Sequence, residues 1–318
     1  MRLRVDPWDP EYGASVELVE DLEPAAGLDL VVEEAGEWKP IPAPRHERVP
    51  CCAFIDGVRR IDASLFAAED DIQAPGLAGS WAVGCAWSTK PPAIGEVEVG
   101  RSVVVGGGLV PDPLVVQAGA HSMLFEPSSV AGKGPLDPLR GLQNAMRDAE
   151  ARMAKAALHS GSAELVVADG PLGYSMPGCL VGMAKRQSRA YLDALRARVL
   201  SQLRAGERSP IFKLGDQRLQ RYSWYLRLAD GRAIDGTMAG VVRLEVDASP
   251  GLAAAQDLAE LAGGVLPAFA SRPGHDPRAP QNLYPVGALE SHLRHRLGDA
   301  LLVRRAIEVR LLEEVSVA

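Results

Sequence analysis

Apolar residues first gather at Val49–Ile55 (VPCCAFI), and the run closes on Asp56-Gly57. A short continuous apolar run bounded by a turn pair predicts a buried strand that ends at the turn. Ser80–Ser88 and Gly95–Val105, rich in Val, Trp and Gly, predict two more strands in a meander with it. Residues 106–135, with three consecutive Gly and several Pro, have the composition of a loop. Leu142, Met146, Ala149, Met153 and Ala157 recur at helical spacing. They predict a helix capped by Asp137, opened by Pro138 and closed by Gly161. AELVVADGPL predicts a second buried strand, ending in Asp169-Gly170. A long helix is predicted over Ala184–Arg204, strands over Tyr222–Leu228 and Gly240–Val246, and helices over Gly251–Leu261 and Val286–Leu297. That order indicates one α/β domain with a mixed sheet.

Charge divides the chain. The net charge is −7, and residues 1–50 hold 12 acidic and 5 basic groups, which is 5 − 12 = −7. The rest is balanced, so an acidic average does not exclude a polyanionic partner. Residues 1–47, acidic and Pro-rich with a strand candidate at Leu28–Val32, read as an arm laid over a domain or a partner. Residues 48–318 are then the domain. From Lys185 to Arg227 there are 11 basic residues against Asp193, Glu207 and Asp216, a net of +8. Trp224 and Tyr225 are interleaved there, a combination suited to single-stranded nucleic acid, although a solvated Arg-rich face has the same pattern. Four Cys without a CxxC pair indicate a reduced, cytoplasmic protein, and no apolar run is long enough to span a membrane.

Candidate chemistry follows from the acids. Asp56 and Asp169 each end a predicted buried strand, at the rim where open α/β sheets place their sites. Between them the predicted helix carries Glu150 at the border of its buried face, 100° beyond Ala149. Asp-Gly is a common turn pair and border Glu residues are ordinary, so each acid also has a purely structural reading. Together the three offer hard oxygen ligands for Mn²⁺ or Mg²⁺, which would also relieve their mutual repulsion. QNLYPVGALESHLRHRLGD adds Tyr284 and His292, eight residues apart, with His295 a weaker candidate. A His beside such a site can serve as ligand or proton shuttle.

These segments resemble the NurA nuclease family, which has an RNase H-like core. The resemblance rests on FIDG at Asp56, the helix with Glu150, VVADGPL with Asp169, VGMAK ending at Lys185, WYLRL, and LYP…H with Tyr284 and His292, in the family's order. It implies an RNase H-like mixed sheet flanked by helices, with the acidic arm added. It implies a metal-dependent DNA nuclease for end processing and recombinational repair, a homodimer working with a hexameric HerA-type ATPase. Asp56, Glu150, Asp169 and His292 would be metal ligands, completed by Tyr284, and Lys185 would contact phosphate. Arg59, Arg60, Arg186 and Arg189 add positive charge for DNA beside the first and second acids. Many relatives have Ser after the first Asp-Gly, and Val58 stands there in this chain. That departure motivates an alternative, an RNase H-like subunit that clamps DNA and docks the ATPase with little or no catalysis. A phosphatase using the same carboxylates fits less well, since a small phosphate needs no extended positive segment.

Overall fold

A computed structural model of the chain describes residues 1–5, 27–33, 38–44, 48–69, 72–185, 190–215 and 219–317. Short strands β1 (Arg2–Val5), β2 (Gly27–Asp29) and β3 (Ile41–Pro42) lie in the N-terminal segment. The domain proper begins with β4 (Cys52–Glu69), β5 (Ile72–Trp87) and β6 (Ala93–Val105), then the hairpin β7 (Leu114–Ala118) and β8 (His121–Ser129). Helix α1 (Asp137–His159) leads to β9 (Leu165–Asp169) and β10 (Leu180–Ala184). After them come α2 (Arg198–Gln202), β11 (Glu207–Arg208), β12 (Phe212–Gly215), β13 (Gln220–Arg227) and β14 (Val241–Asp247). The C-terminal part is helical: α3 (Leu252–Val265), α4 (Tyr284–Arg296) and α5 (Ala300–Val317). No helix among the described residues is long and apolar enough to cross a membrane.

The sheet runs β2-β12-β13-β14-β10-β9-β4-β5-β6-β8-β7. At its centre β5 is antiparallel to β4 and β6, while β9 is parallel to β4 and β10 parallel to β9. This is the mixed sheet flanked by helices that the sequence leads one to expect. Side chains of β4 alternate between two cores, as the period of a strand requires. Cys52, Phe54 and Val58 join the core with α3 and α4. Ala53 and Ile55 join Leu142, Met146 and Ala149 of α1 on the opposite face.

Three sequence expectations need correction. The first strand does not stop at Asp56-Gly57. It continues to Glu69, and Gly57 is not among the glycines with positive φ. Residues 106–135 contain the β7–β8 hairpin; Leu114–Ala118 alternates buried and exposed, a period-2 signal masked by its Gly and Pro neighbours. The long helix over Ala184–Arg204 is absent. Leu180–Ala184 is a buried strand, and among the described residues from there to Arg204 the helical part is Arg198–Gln202. Asp193 accepts the backbone N–H groups of Leu195 and Arg196, a local turn that competes with helix continuation.

The described parts of the N-terminal segment are built into the domain. β1 pairs with the far end of β4, β2 with β12, and β3 with β11. Glu33 lies buried against Arg208, with its two oxygens 2.7 and 2.8 Å from the guanidinium.

Candidate metal centre

The arrangement of strands leaves a gap beside Asp56. One side of β4 is covered by β5 over nearly its whole length. On the other side, β9 covers Cys52–Ile55 and β1 covers Leu65–Ala68. Between those stretches, Asp56–Ser64 has no strand partner on that side among the described residues. Helix α1 lies over one face of this open edge and α4 over the other. A groove of about 530 Å³ results, lined by Gly57–Arg60 of β4, Gln143 and Met146 of α1, and Glu290, Arg294 and Leu297 of α4.

Four acids stand around the head of this groove. Asp56, Asp169 and Glu290 each bring one carboxylate oxygen to within 4.8 Å of the others. Asp56 and Asp169 follow directly on the paired residues Ile55 and Ala168, so the parallel β4–β9 register sets them side by side. Asp169 ends β9, and Gly170 turns the chain there with φ +104°. Glu290 comes from the buried stripe of α4, with Val286, Leu289 and Leu293. Glu150 reaches down from α1: a Cβ on Gly57 would lie only 2.5 Å from its Oε1 and 3.0 Å from Met146 Cγ. Gly57 therefore allows the close approach of α1, where the sequence reading took it for a turn.

The charges are unevenly matched. Lys185 Nζ lies 2.5 Å from Asp169 Oδ2. Arg278 forks Glu290 with contacts of 2.5 and 2.7 Å, and its other side holds Asp276. Asp56 is 6% exposed; Oδ1 accepts the N–H of Gly57 at 2.8 Å, while Oδ2 is buried with no hydrogen-bond partner. Burial pushes the Asp56 carboxyl well above its usual range, and the charges of Asp169, Glu290 and Glu150 add to this, partly opposed by Lys185. A buried carboxylate with an orphaned oxygen, facing two others, calls for a cation. Oxygen donors alone suit a hard divalent ion.

The other residues singled out in the sequence fall as follows. Tyr284 opens α4 and is 42% exposed. His292 is half-buried, two residues beyond Glu290 and so about 200° around the helix from it. Among the described residues it joins no cluster of ligand atoms. Arg59 lines the groove and donates to the Gln143 side chain. Arg60 pairs with Asp62 and donates to the carbonyls of Leu297 and Gly298, tying down the end of α4. Lys185 serves Asp169, and Arg186 and Arg189 lie outside the described residues.

Part of the basic segment from 185 to 227 is turned into the fold, while Arg198 and Arg204 are exposed. Arg208, Arg221 and Arg227 are buried. Arg221 pairs with Glu245 and also donates to the Leu172 carbonyl, whereas Arg227 donates to the carbonyls of Ala239, Leu200 and Thr237. Trp224 and Tyr225 are fully buried, so neither ring can stack on a base. Much of this charge works inside the fold. Glu245, for example, also accepts the Leu172 N–H and so pins the loop after Asp169.

Glu290, Arg278 and Arg294 escaped the sequence reading. The signal for Glu290 was present: an acid at a position that continues the apolar stripe Val286, Leu289, Leu293 and Leu297. Arg278 lies in a loop remote in sequence and had no pattern to mark it.

No protein-family model matches the chain. No curated protein matches it in sequence. Among solved structures, the NurA nuclease from Sulfolobus solfataricus is similar in fold with a TM-score of 0.46 and 10% identity, over 87% of this chain and 88% of that one.

Proposed function

We propose that this chain is a divalent-metal-dependent DNA nuclease whose centre is the carboxylate cluster at the open edge of β4. The observation that carries the reading is Asp56: a buried carboxylate with one oxygen unpartnered, within 4.8 Å of ligand oxygens from Asp169 and Glu290. Mn²⁺ or Mg²⁺ would be held by these three acids, with Glu150 contributing from α1. Bound there, such ions activate water and stabilise the charge that develops on a phosphodiester. The chain's own residues do the positioning. The β4–β9 register fixes Asp56 and Asp169, Lys185 orients Asp169, and Arg278 aims Glu290. Glu290 is the ligand that α4 supplies, and Tyr284 and His292, on other faces of the same helix, would complete the site as the family resemblance implies.

Action on DNA ends in recombinational repair, a hexameric HerA-type ATPase as partner, and a homodimer follow the same resemblance. The outer face of α5, with Leu301 and Val309 more than half exposed, supports a contact with a second copy. A weakly catalytic DNA clamp is the second reading, and one observation favours it: both oxygens of Glu290 are already engaged by Arg278.

The test is cleavage of linear single- and double-stranded DNA with Mn²⁺, alongside calorimetric titration of the metal. For the nuclease we expect Asp56→Ala and Asp169→Ala to lose more than the roughly 10–100-fold typical of changes behind the ligands. Equal cleavage by all three proteins sinks the assignment. Weak metal binding by the wild type, with DNA binding intact, selects the clamp.

A further inference from the structure

The groove continues past the carboxylates along the open edge of β4, and its cations are not explained by metal binding. Arg294 is one turn beyond Glu290 on the same face of α4, so both line this groove. Its side chain is exposed, and its guanidinium has no ion-pair or hydrogen-bond partner among the described residues. That sets it apart from Arg60 and Arg278, which are tied to protein groups. Across the groove Arg59 approaches from β4, its Nε held by the buried Gln143 side chain. Gln143 thus orients the Arg59 side chain along the groove wall. The volume of about 530 Å³ lies within the range of small-molecule sites, on the order of 300–1,000 Å³, and has room for a nucleotide unit.

We propose that this groove is a phosphate subsite: Arg294 and Arg59, with Gln143 as the positioning residue, hold the DNA phosphate next to the one at the metal centre. The inference rests on the nuclease reading and extends it to the path of the strand. Arg294 supplies positive charge beside Glu290, and Arg59 faces it across the groove. Arg is suited to the task because its planar fork can bind two phosphate oxygens together. The contact is to the backbone, so it should be indifferent to sequence.

The experiment uses the full chain, Ca²⁺ in place of Mn²⁺ to suppress cleavage, and a fluorescein-labelled oligothymidine followed by anisotropy over a range of salt. Arg294→Gln should weaken binding about five- to tenfold at low salt and lower the slope of log affinity against log salt by about 0.7, the value for one lost single-strand phosphate contact. Arg294→Lys should restore the slope, since charge remains, and recover only part of the affinity. Mn²⁺ affinity by calorimetry should be unchanged in both variants. Circular dichroism checks that α4 is intact, which its exposed position favours. Wild-type affinity and slope in Arg294→Gln overturn the subsite while leaving the nuclease reading in place. Failure of the wild type to bind the oligonucleotide at all overturns both.

Discussion

Asp56 is costly to the fold in the absence of a cation. Its carboxyl is buried, its Oδ2 lacks a partner, and its proton affinity is raised above the ordinary value of 3.8 by burial and then by neighbouring acids. A raised carboxyl costs nothing below the unfolded value, where both states hold the proton. Stability is then lost as pH rises above it, because the unfolded chain ionises more readily than the folded one. Asp56→Asn should therefore raise the melting temperature at neutral pH in EDTA, by a few degrees for each kcal/mol recovered. The same variant should lose most of the stabilisation that Mn²⁺ gives the wild type, since binding to the native state alone raises stability by mass action. Thermal melts of both proteins, with EDTA and with Mn²⁺, decide this. A lower melting point for the variant in EDTA, or an undiminished Mn²⁺ shift, would show that Asp56 has a structural role instead.

At the scale of elements, the centre depends on how closely α1 approaches the sheet. Gly57 and Gly79 make room for it: a Cβ at Gly79 would collide with Leu142, and one at Gly57 with Glu150 and Met146. Gly57→Ala should cost about 1–3 kcal/mol, the usual range for overpacking. It should also displace the Glu150 carboxylate and weaken Mn²⁺ binding, whereas Gly79→Ala should destabilise without changing metal affinity. Urea melts and calorimetry on the two variants test the distinction; an equal effect on metal affinity would refute it. This contact also shows what was legible in the sequence. The apolar runs of β4 and β9 and the helical spacing of α1 were sufficient to place Asp56, Asp169 and Glu150 on neighbouring elements. What one-dimensional pattern misses is the use of a glycine for close approach, since Asp-Gly reads equally as a turn. Glu290 was hidden for a similar reason: its position reads as part of an apolar stripe, and only the fold shows that this stripe ends at the other carboxylates. Tyr284 and His292, read as a pair, are turned around α4 from Glu290 by the helical period itself.

For the whole molecule, net charge says little until each charge is located. The acidic N-terminal segment and the basic 185–227 segment partly cancel each other inside the fold, through Glu33 and Arg208. Both side chains are 4% exposed, and Glu33 also accepts the Ile211 N–H at 2.5 Å. Burial tends to raise the Glu33 carboxyl, but Arg208 and the Ile211 N–H outweigh it and hold the carboxyl below its usual 4.5. This pair thus contributes stability above the unfolded value, lost as pH falls through the folded one. Removing one partner should be severe because the other charge stays buried. Glu33→Ala is expected to cost about 3–5 kcal/mol at pH 7, whereas replacing both residues by apolar ones of similar volume, Glu33→Leu with Arg208→Met, should recover most of it. Urea unfolding at neutral pH and again in acid, for wild type, both single variants and the double variant, measures the coupling. If Glu33→Ala unfolds like the wild type at neutral pH, the N-terminal segment is not held by this pair. If the single and double variants lose stability equally, what matters at this site is packing of the two stems and not the meeting of the charges.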